Sequence, residues 1–248
     1  MLLENKNAIV YGAAGSIGGA VARAFAADGA RVFLAGRTLA TLDEVAADIR
    51  AHGGLAETAP VDALDKASVD AHADRVVATA GRIDVSFNAV EVGNVQGVPL
   101  TEISVEDFLH PVTLLSRTNF LTATAAARHM AARGSGVIVT LTASSAKETR
   151  HEMGGFSLAN AAIEALTRAM AGEFGRRGVR VVGLRSNFTP ETYPEVTDED
   201  IAPLLRDTLL GRLPRLAELA ATAVYLASDG AGAMSGTMVN LTCGAIID

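Results

Sequence analysis

A glycine-rich segment near the start of the chain has the spacing of a phosphate-binding loop. Gly12, Gly15 and Gly18 recur every third residue, directly after an apolar run and at the start of a helical pattern. Glycines let backbone N–H groups approach a pyrophosphate, and the positive end of the following helix adds to the attraction. The alternative is a tight turn that needs glycine only for its backbone angles. Because the segment links a strand pattern to a helix pattern, we expect nucleotide binding, with Ser16 and Ile17 in the same loop.

The residue that follows the second apolar run is basic. An acidic side chain about 20 residues beyond the glycine loop would hold a ribose 2′-hydroxyl, as in NAD sites. Arg37 stands there instead, and a guanidinium can pair with a 2′-phosphate through charge-assisted hydrogen bonds. We therefore expect NADP(H), the alternative being a solvated arginine at the start of a helix.

Two further segments complete the expected cofactor site. Asp62 follows the third apolar run and either accepts from an adenine amino group or simply caps the next helix. Ala63 beside it and Asn88, at the end of the fourth run, are assigned to the same site. We expect no metal ligands.

Alternating strand and helix patterns position these residues. Short β-branched runs are followed by stretches of 3.6-residue periodicity from end to end. This repeat predicts an α/β fold of the Rossmann type, a doubly wound parallel sheet of about seven strands with helices on both faces. Ligands of such sheets bind beyond the carboxyl ends of the strands. The predicted strands are Ala8–Tyr11, Arg31–Ala35, Glu57–Val61, Ile83–Asn88, Gly136–Leu141, Val179–Leu184 and Thr237–Leu241. The predicted helices are Ser16–Asp28, Leu39–Ala51, Lys66–Ala80, Val105–Arg133 with a break near Pro111, Leu158–Arg176 and Glu218–Ala227.

Composition limits the classes of partner. The 248 residues are 49% apolar and 20% charged, and no linker divides them, so we expect one domain over residues 1–248. A net charge of −7 argues against nucleic-acid and anionic-membrane partners. No window approaches the ~20 apolar residues of a membrane span, and the first residues lack a signal-peptide pattern, so we expect a cytoplasmic protein. The one cysteine, Cys243, cannot form an internal disulfide.

These segments, in this order, resemble the short-chain dehydrogenase/reductase family over nearly the whole chain. The resemblance implies a dinucleotide-binding oxidoreductase that pairs through two long helices, here Val112–Arg133 and Leu158–Arg176, into a homotetramer. In the loop, Tyr11 replaces the family's usual threonine and Ser16 its middle glycine. The segments that carry the resemblance are the glycine loop, Asp62, Asp84-Val85 with Asn88, Gly136–Val139, Ala165–Arg168, Gly178–Val181, Ala223–Asp229 and Gly236-Thr237.

The side chains that perform the family's hydride chemistry are absent at the matching positions. The resemblance places the catalytic Tyr and Lys on Phe156 and Asn160, the Ser on Ala143 and the Asn on Leu115. Carbonyl reduction needs a proton for the developing alkoxide, which a tyrosine supplies when a neighbouring lysine lowers its pKa. Phe156 has no proton to give, Ala143 donates no side-chain hydrogen bond, and Asn160 carries no charge. We expect an apolar pocket and little turnover by the family's mechanism.

The loop Thr142–Gly155 contains the candidates to replace the missing acid. His151 is the first of them, because an imidazole titrates near neutral pH, and Ser144 is the second. The alternative is that this loop is simply polar and solvated. Asn119 either faces the same pocket or bonds within its own helix, and Arg185 either meets an anion or serves a subunit contact.

Two functions stay open at this point. The first is an NADP(H)-dependent oxidoreductase with an altered or impaired active site, acting on a small apolar carbonyl compound or alcohol. The second is a non-redox protein on the same fold, either a nucleotide-binding sensor or structural protein, or a host for isomerase or cyclase chemistry in the old pocket. Hydride transfer from bound NADPH distinguishes the two.

Overall fold

The computed structural model describes residues 1–148 and 152–247, and a parallel sheet forms its centre. The strands are β1 (Asn7–Tyr11), β2 (Arg31–Gly36), β3 (Leu55–Pro60), β4 (Val85–Asn88), β5 (Gly136–Ala143), β6 (Val179–Ser186) and β7 (Met238–Leu241). They lie in the order β3-β2-β1-β4-β5-β6-β7, and every neighbouring pair is parallel. Strands β1 and β4 are fully buried, because their apolar runs are covered by helices on both faces.

Helices cover both faces of the sheet. They are α1 (Ser16–Ala27), α2 (Leu39–Ala51), α3 (Lys66–Ala80), α4 (Val105–Arg133), α5 (Gly155–Phe174), α6 (Asp198–Arg206) and α7 (Leu216–Ala227). One buried cluster joins the sheet to α1, α2 and α7, and a second joins it to α3, α4 and α5. Val10 and Ile9, neighbours on β1, enter opposite clusters, as alternation along a strand requires. The predicted doubly wound α/β fold is confirmed. No helix in the described part of the chain is long and apolar enough to cross a bilayer.

The ends of some elements differ from the prediction. Strand β3 begins at Leu55, two residues before the predicted start, and helix α5 begins at Gly155, which places Phe156 in its first turn. A glycine usually indicates the end of a helix. Here it is needed, because a β-carbon at Gly155 would lie 1.7 Å from the carbonyl oxygen of Phe108 on α4. Helix α6 was not predicted, since it is short and none of its residues is buried.

The predicted break near Pro111 is wrong, and α4 runs without interruption. Ser104 caps its first turn by accepting from the backbone N–H of Asp107 at 3.0 Å. Inside a helix, a proline removes its own N–H from the hydrogen-bond ladder, and its ring crowds the carbonyl group one turn earlier. Pro111 is buried, and its ring lies 3.2 Å from where a β-carbon of Gly155 would be. Close packing against the start of α5 therefore holds the proline-containing turn in helical form.

Candidate active site

The turn between β1 and α1 is the glycine loop, and its glycines differ in what they do. Gly12 has a φ of +72°, and a β-carbon on it would lie 2.5 Å from the carbonyl oxygen of Ala89. A β-carbon on Gly18 would lie 2.2 Å from the carbonyl oxygen of Gly12. At Gly15 a β-carbon would meet only the Gly12 oxygen, at 3.4 Å. The turn itself thus requires Gly12 and Gly18, whereas Gly15 leaves open space at the start of α1.

The N-terminus of α1 fits an anion. Its cap residue is Gly15, which has no side chain to accept from the first amide groups, and the first turn contains no acidic residue. Those amide groups have no partner inside the helix. Ser16 is exposed and Ile17 half-buried beside them. Backbone N–H groups and the positive helix end together suit a pyrophosphate at this edge of the sheet.

Arg37 and Asp62 lie at the carboxyl ends of β2 and β3. Arg37 is exposed and directly follows β2. Asp62 is also exposed, and its Oδ1 accepts from the backbone N–H of Leu64 at 2.9 Å, above the buried Ala63. The cap of α3 is Asp65, whose carboxylate accepts from the backbone N–H two residues on. Asp62 therefore does not cap the next helix, and the interpretation that it meets an adenine stays a prediction.

Asn88 ends β4, and the protein itself occupies its side chain. Nδ2 donates to Oγ1 of Thr122 at 2.9 Å, and Oδ1 accepts from the backbone N–H of Val90 at 2.8 Å. These bonds fix the segment after β4, where the carbonyl oxygen of Ala89 closes against Gly12. The side chain of Asn88 thus holds the segment that packs against Gly12 of the glycine loop.

Three of the four positions predicted for catalysis meet at the carboxyl end of β5. The buried Asn160 of α5 accepts from the backbone N–H of Ala143 through Oδ1 at 2.9 Å. Its Nδ2 donates to the carbonyl oxygen of Phe156, also at 2.9 Å. Leu115 of α4 is half-buried, and its carbonyl oxygen accepts from Nδ2 of Asn119 at 2.9 Å. None of the side chains at positions 115, 143, 156 and 160 is ionisable, so they hold no acid or base.

Known proteins resemble this chain in sequence and in overall fold. The sequence model described as enoyl-(acyl carrier protein) reductase matches residues 12–245. The uncharacterized oxidoreductase YxbG of Bacillus subtilis (strain 168) is 33% identical over 94% of this chain and 88% of its own length. A structure of 7α-hydroxysteroid dehydrogenase complexed with NADH and 7-oxoglycochenodeoxycholic acid is 27% identical, with a TM-score of 0.87 over 99% of this chain and 96% of that one. Gluconate 5-dehydrogenase from Burkholderia cenocepacia, in complex with NADP and tartrate, is 26% identical, with a TM-score of 0.89 over 98% and 96%.

The chain belongs to the short-chain dehydrogenase/reductase family. It is thus a member of an oxidoreductase family whose relatives include dehydrogenases of hydroxysteroids and of gluconate. The predicted resemblance is confirmed.

Of the two candidate replacement acids of this short-chain dehydrogenase/reductase, Ser144 lies in the described part of the chain. Ser144 is buried just after β5, and its Oγ donates to Oδ1 of Asn187 at 3.1 Å. Because the hydroxyl proton is already donated to Asn187, Ser144 is a poorer candidate for the acid. His151 lies outside the described residues. Nearby, Nδ2 of Asn160 lies 3.5 Å from Oγ of Ser145.

Two side chains with open roles have partners inside the protein. Asn119 bonds within its own helix, to the carbonyl oxygen of Leu115, as one alternative predicted. Arg185 on β6 is almost fully buried and forms an ion pair with Glu164 of α5. Its Nε lies 2.7 Å from Oε1 and its terminal nitrogen 3.0 Å from Oε2. Arg185 therefore lies in the core of this short-chain dehydrogenase/reductase, where Glu164 is one of its partners.

Sequence patterns did not single out His72, which lies buried on α3 against Tyr11. The two rings meet edge to face with centroids 6.0 Å apart. Burial, with a smaller contribution from Arg75, lowers the pKa of His72 to about 4. Burial, aided by the charge of Asp70, raises the pKa of the Tyr11 hydroxyl above its ordinary value. Neither ring nitrogen of His72 nor the Tyr11 hydroxyl has a hydrogen-bond partner among the described residues. The available signal was a histidine at the centre of an apolar stripe on a helix.

Proposed function

We propose that this chain binds NADP(H) along the carboxyl edge of its sheet and acts as an impaired oxidoreductase on a small apolar carbonyl compound or alcohol. The observation that carries the proposal is the uncapped N-terminus of α1 behind Gly15, which fits a pyrophosphate. The residues proposed to line the cofactor are Gly12, Gly15, Ser16, Ile17, Gly18, Arg37, Asp62, Ala63 and Asn88.

Arg37 is the basis for proposing NADP(H) over NAD(H). It is exposed at the end of β2, where an NAD site would carry a carboxylate. A guanidinium can hold a 2′-phosphate by paired charge-assisted hydrogen bonds. Similar structures contain NADH in one case and NADP in another, so the family itself supports both. The charge at position 37 favours the phosphorylated form.

The impairment follows from the residues around Ala143. A bound nicotinamide supplies or accepts a hydride, and the chain must then handle a proton at the reacting oxygen. The Phe156 ring has no proton to give, and the amide of Asn160 is bonded at both ends. General acid–base assistance is typically worth ~10²–10⁴-fold in rate. Proton transfer then falls to water or to a loop residue such as His151, and we expect slow turnover.

A deuterium-transfer experiment tests the proposal. Native mass spectra of freshly purified protein should show retained NADP(H). NADPH labelled at C4 of the nicotinamide should then pass its label slowly to an added cyclic ketone. Failure to bind either nucleotide refutes the cofactor assignment, and the arginine assignment fails if NAD(H) binds more tightly.

The second candidate is a non-redox protein that uses the same pocket. The observation in its favour is the pair of hydrogen bonds through which Asn160 joins Ala143 to Phe156, because they make the former catalytic edge a structural contact. Tight nucleotide binding without label transfer to any ketone would support a sensor or structural protein. Conversion of a substrate without oxidation or reduction would support an isomerase or cyclase.

We also propose that the chain assembles as a homotetramer through α4 and α5. Phe120 on α4 and Leu158 on α5 are large apolar side chains that are 52% and 46% exposed. Gly172, further along α5, has open space around it, which permits close approach of another helix. Near the end of the chain, Ile247 is 80% exposed. Exposed apolar groups of this kind suit subunit contacts.

A further inference from the structure

The first residue after β6 carries a fixed hydrogen-bond donor that the protein does not use. Asn187 is only 6% exposed. Its Oδ1 accepts from the backbone N–H of Phe188 at 2.8 Å and from the hydroxyl of Ser144 at 3.1 Å. A backbone N–H can only donate, so the amide oxygen is identified by its partner. The opposite atom, Nδ2, is buried and has no hydrogen-bond partner among the described residues.

The position of this donor is the edge of the sheet where a ligand is expected. Asn187 follows the carboxyl end of β6, and Ser144 follows the carboxyl end of β5. The two strands are adjacent and parallel, with Ala143 in register with Ser186. Open α/β sheets bind ligands outside this edge. The unused donor therefore belongs to the residue directly after Ser186, the strand position paired with Ala143. Ala143 itself has no hydroxyl group.

The surroundings indicate the kind of acceptor. Most buried N–H groups in proteins are paired with protein, water or a ligand, because an unpaired one is costly. Arg185, two residues earlier on β6, forms an ion pair with Glu164. The donor on Asn187 is a neutral amide, which suits a neutral acceptor, and the oxygen of a carbonyl group meets that requirement.

We propose that Nδ2 of Asn187 donates a hydrogen bond to a carbonyl oxygen of the small molecule bound at this edge. Ser144 is a positioning residue that orients the amide through its own hydrogen bond to Oδ1. The inference rests on the proposed function, since it requires a ligand at the carboxyl ends of β5 and β6. The oxygen belongs either to the carboxamide of a nicotinamide or to the carbonyl group of a second molecule, and both offer the same acceptor.

The substitution Asn187→Asp isolates the donor from the rest of the side chain. An aspartate keeps an oxygen for both existing hydrogen bonds and replaces the unused donor with an acceptor. Asn187→Ala removes the whole group, and Ser144→Ala removes only the orienting hydroxyl. Asn7→Ala is the matched control, because Asn7 is a buried asparagine at the opposite edge of the sheet, where its Nδ2 donates to a backbone carbonyl.

Calorimetric titration with two nucleotides separates the sources of the oxygen. NADPH carries a nicotinamide, whereas 2′,5′-ADP ends before it. If the carboxamide is the acceptor, both Asn187 variants should bind NADPH roughly 3- to 10-fold more weakly and 2′,5′-ADP with wild-type affinity, as the loss of one hydrogen bond predicts. Equal weakening of both nucleotides would mean a general structural defect and would overturn the assignment.

Side-chain amide NMR gives a readout that does not depend on nucleotide binding. The Nδ2 protons of Asn187, identified by their loss in Asn187→Ala or their shift in Ser144→Ala, should move when NADPH, nicotinamide or cyclohexanone is added. A response to cyclohexanone alone assigns the acceptor to a second molecule. If the wild type binds neither nucleotide and the signal still moves with cyclohexanone, the proposed cofactor fails and Asn187 keeps its role. The inference is overturned if these protons respond to none of the three compounds.

Discussion

The amide oxygen of Asn160 accepts a hydrogen bond from the backbone N–H of Ala143 at 2.9 Å. This contact joins the first turns of α5 to the end of β5 at the edge where the family performs its chemistry. A lysine ammonium can only donate, so the family's usual residue at this position would lose the bond. Asn160 is therefore a brace within the fold, and a lysine at this position could not form the same bond.

The brace predicts a cost for changing Asn160. Asn160→Ala leaves a part-buried N–H of Ala143 and a part-buried carbonyl oxygen of Phe156 without their Asn160 partners, and we expect the free energy of unfolding to fall by about 1–3 kcal/mol. Asn160→Lys should also destabilise, because it cannot accept from Ala143. Urea denaturation measures both changes. Asn94→Ala, a partly exposed asparagine in the segment after β4, is the control and should change stability by no more than ~0.5 kcal/mol. Equal effects at both positions would show that the brace contributes nothing specific.

Restoring the family's catalytic groups should be strongly non-additive. Phe156→Tyr alone should add little NADPH-dependent ketone reduction, since a tyrosine without a neighbouring cation keeps its ordinary pKa. The triple variant Ala143→Ser, Phe156→Tyr, Asn160→Lys should show a measurable gain, if its stability permits folding. Initial rates of NADPH oxidation, corrected for folded fraction by circular dichroism, test this. Brisk turnover by the unaltered chain would instead show that another acid operates, and His151→Ala and Ser144→Ala would then identify it.

Removing the cation after β2 should abolish the preference for a phosphorylated cofactor. Arg37→Ala should weaken NADPH binding by roughly 1.5–3 kcal/mol, the value of a hydrogen bond to a charged group, and leave NADH binding nearly unchanged. Calorimetry with both cofactors measures the difference. Arg176→Ala, an exposed arginine after α5, is the charge-matched control. Equal affinity of the wild type for the two cofactors would contradict the assignment.

His72 predicts a loss of stability in mild acid. Burial holds its folded-state pKa at about 4, below the ordinary value of 6.5. Between these values the unfolded chain binds a proton that the folded chain does not, so stability present above pH 6.5 is lost as the pH falls toward 4. Over that pH range, the free energy of unfolding of the wild type should fall by up to roughly 3 kcal/mol more than that of His72→Leu. Urea denaturation in a pH series measures it. Parallel curves for the two proteins would exclude the effect, because all other titrating groups are common to both.

The exposed apolar residues on α4 and α5 predict a dissociable assembly. The wild type should run as a tetramer, or at least a dimer, in light scattering at micromolar concentration. Phe120→Glu combined with Leu158→Glu should shift it to a smaller species with unchanged circular dichroism. Tyr225→Glu, which alters an exposed aromatic on α7, tests whether any charge on the surface has the same result. A stable wild-type monomer would refute the proposal.

The order of strands and helices could be predicted because it depends on local patterns. Runs such as the predicted strand Ile83–Asn88 and the glycines after Tyr11 indicate strands and turns from local sequence alone. The start of α5 could not be predicted in this way, since only the close approach of Phe108 explains why the helix has a glycine at position 155. The same holds for the continuous helix through Pro111, which depends on packing between two elements.

The functional edge was predicted less completely than the fold. Motif matching assigns the family's catalytic positions to Leu115, Ala143, Phe156 and Asn160, and that assignment stays a prediction. The hydrogen bonds of this edge could not be predicted, because Asn160 with Ala143 and Ser144 with Asn187 are contacts between residues that are separated along the chain. The ion pair of Arg185 with Glu164 is also a contact between two elements, and the residues next to each of them in the sequence do not predict it.

The loop glycines differ in the space around them, which separates two requirements that usually coincide in such a motif: the backbone of the turn and the room for a ligand. Substitutions at Gly12 or Gly18 collide with backbone and compromise the fold itself, so a mutational library at these positions would report only misfolding. Gly15 has room for a methyl group, and alanine there would occupy the space above α1 without disturbing the turn. Position 15 is thus the one loop glycine at which affinity for a nucleotide can be engineered, or selected by evolution, independently of foldability.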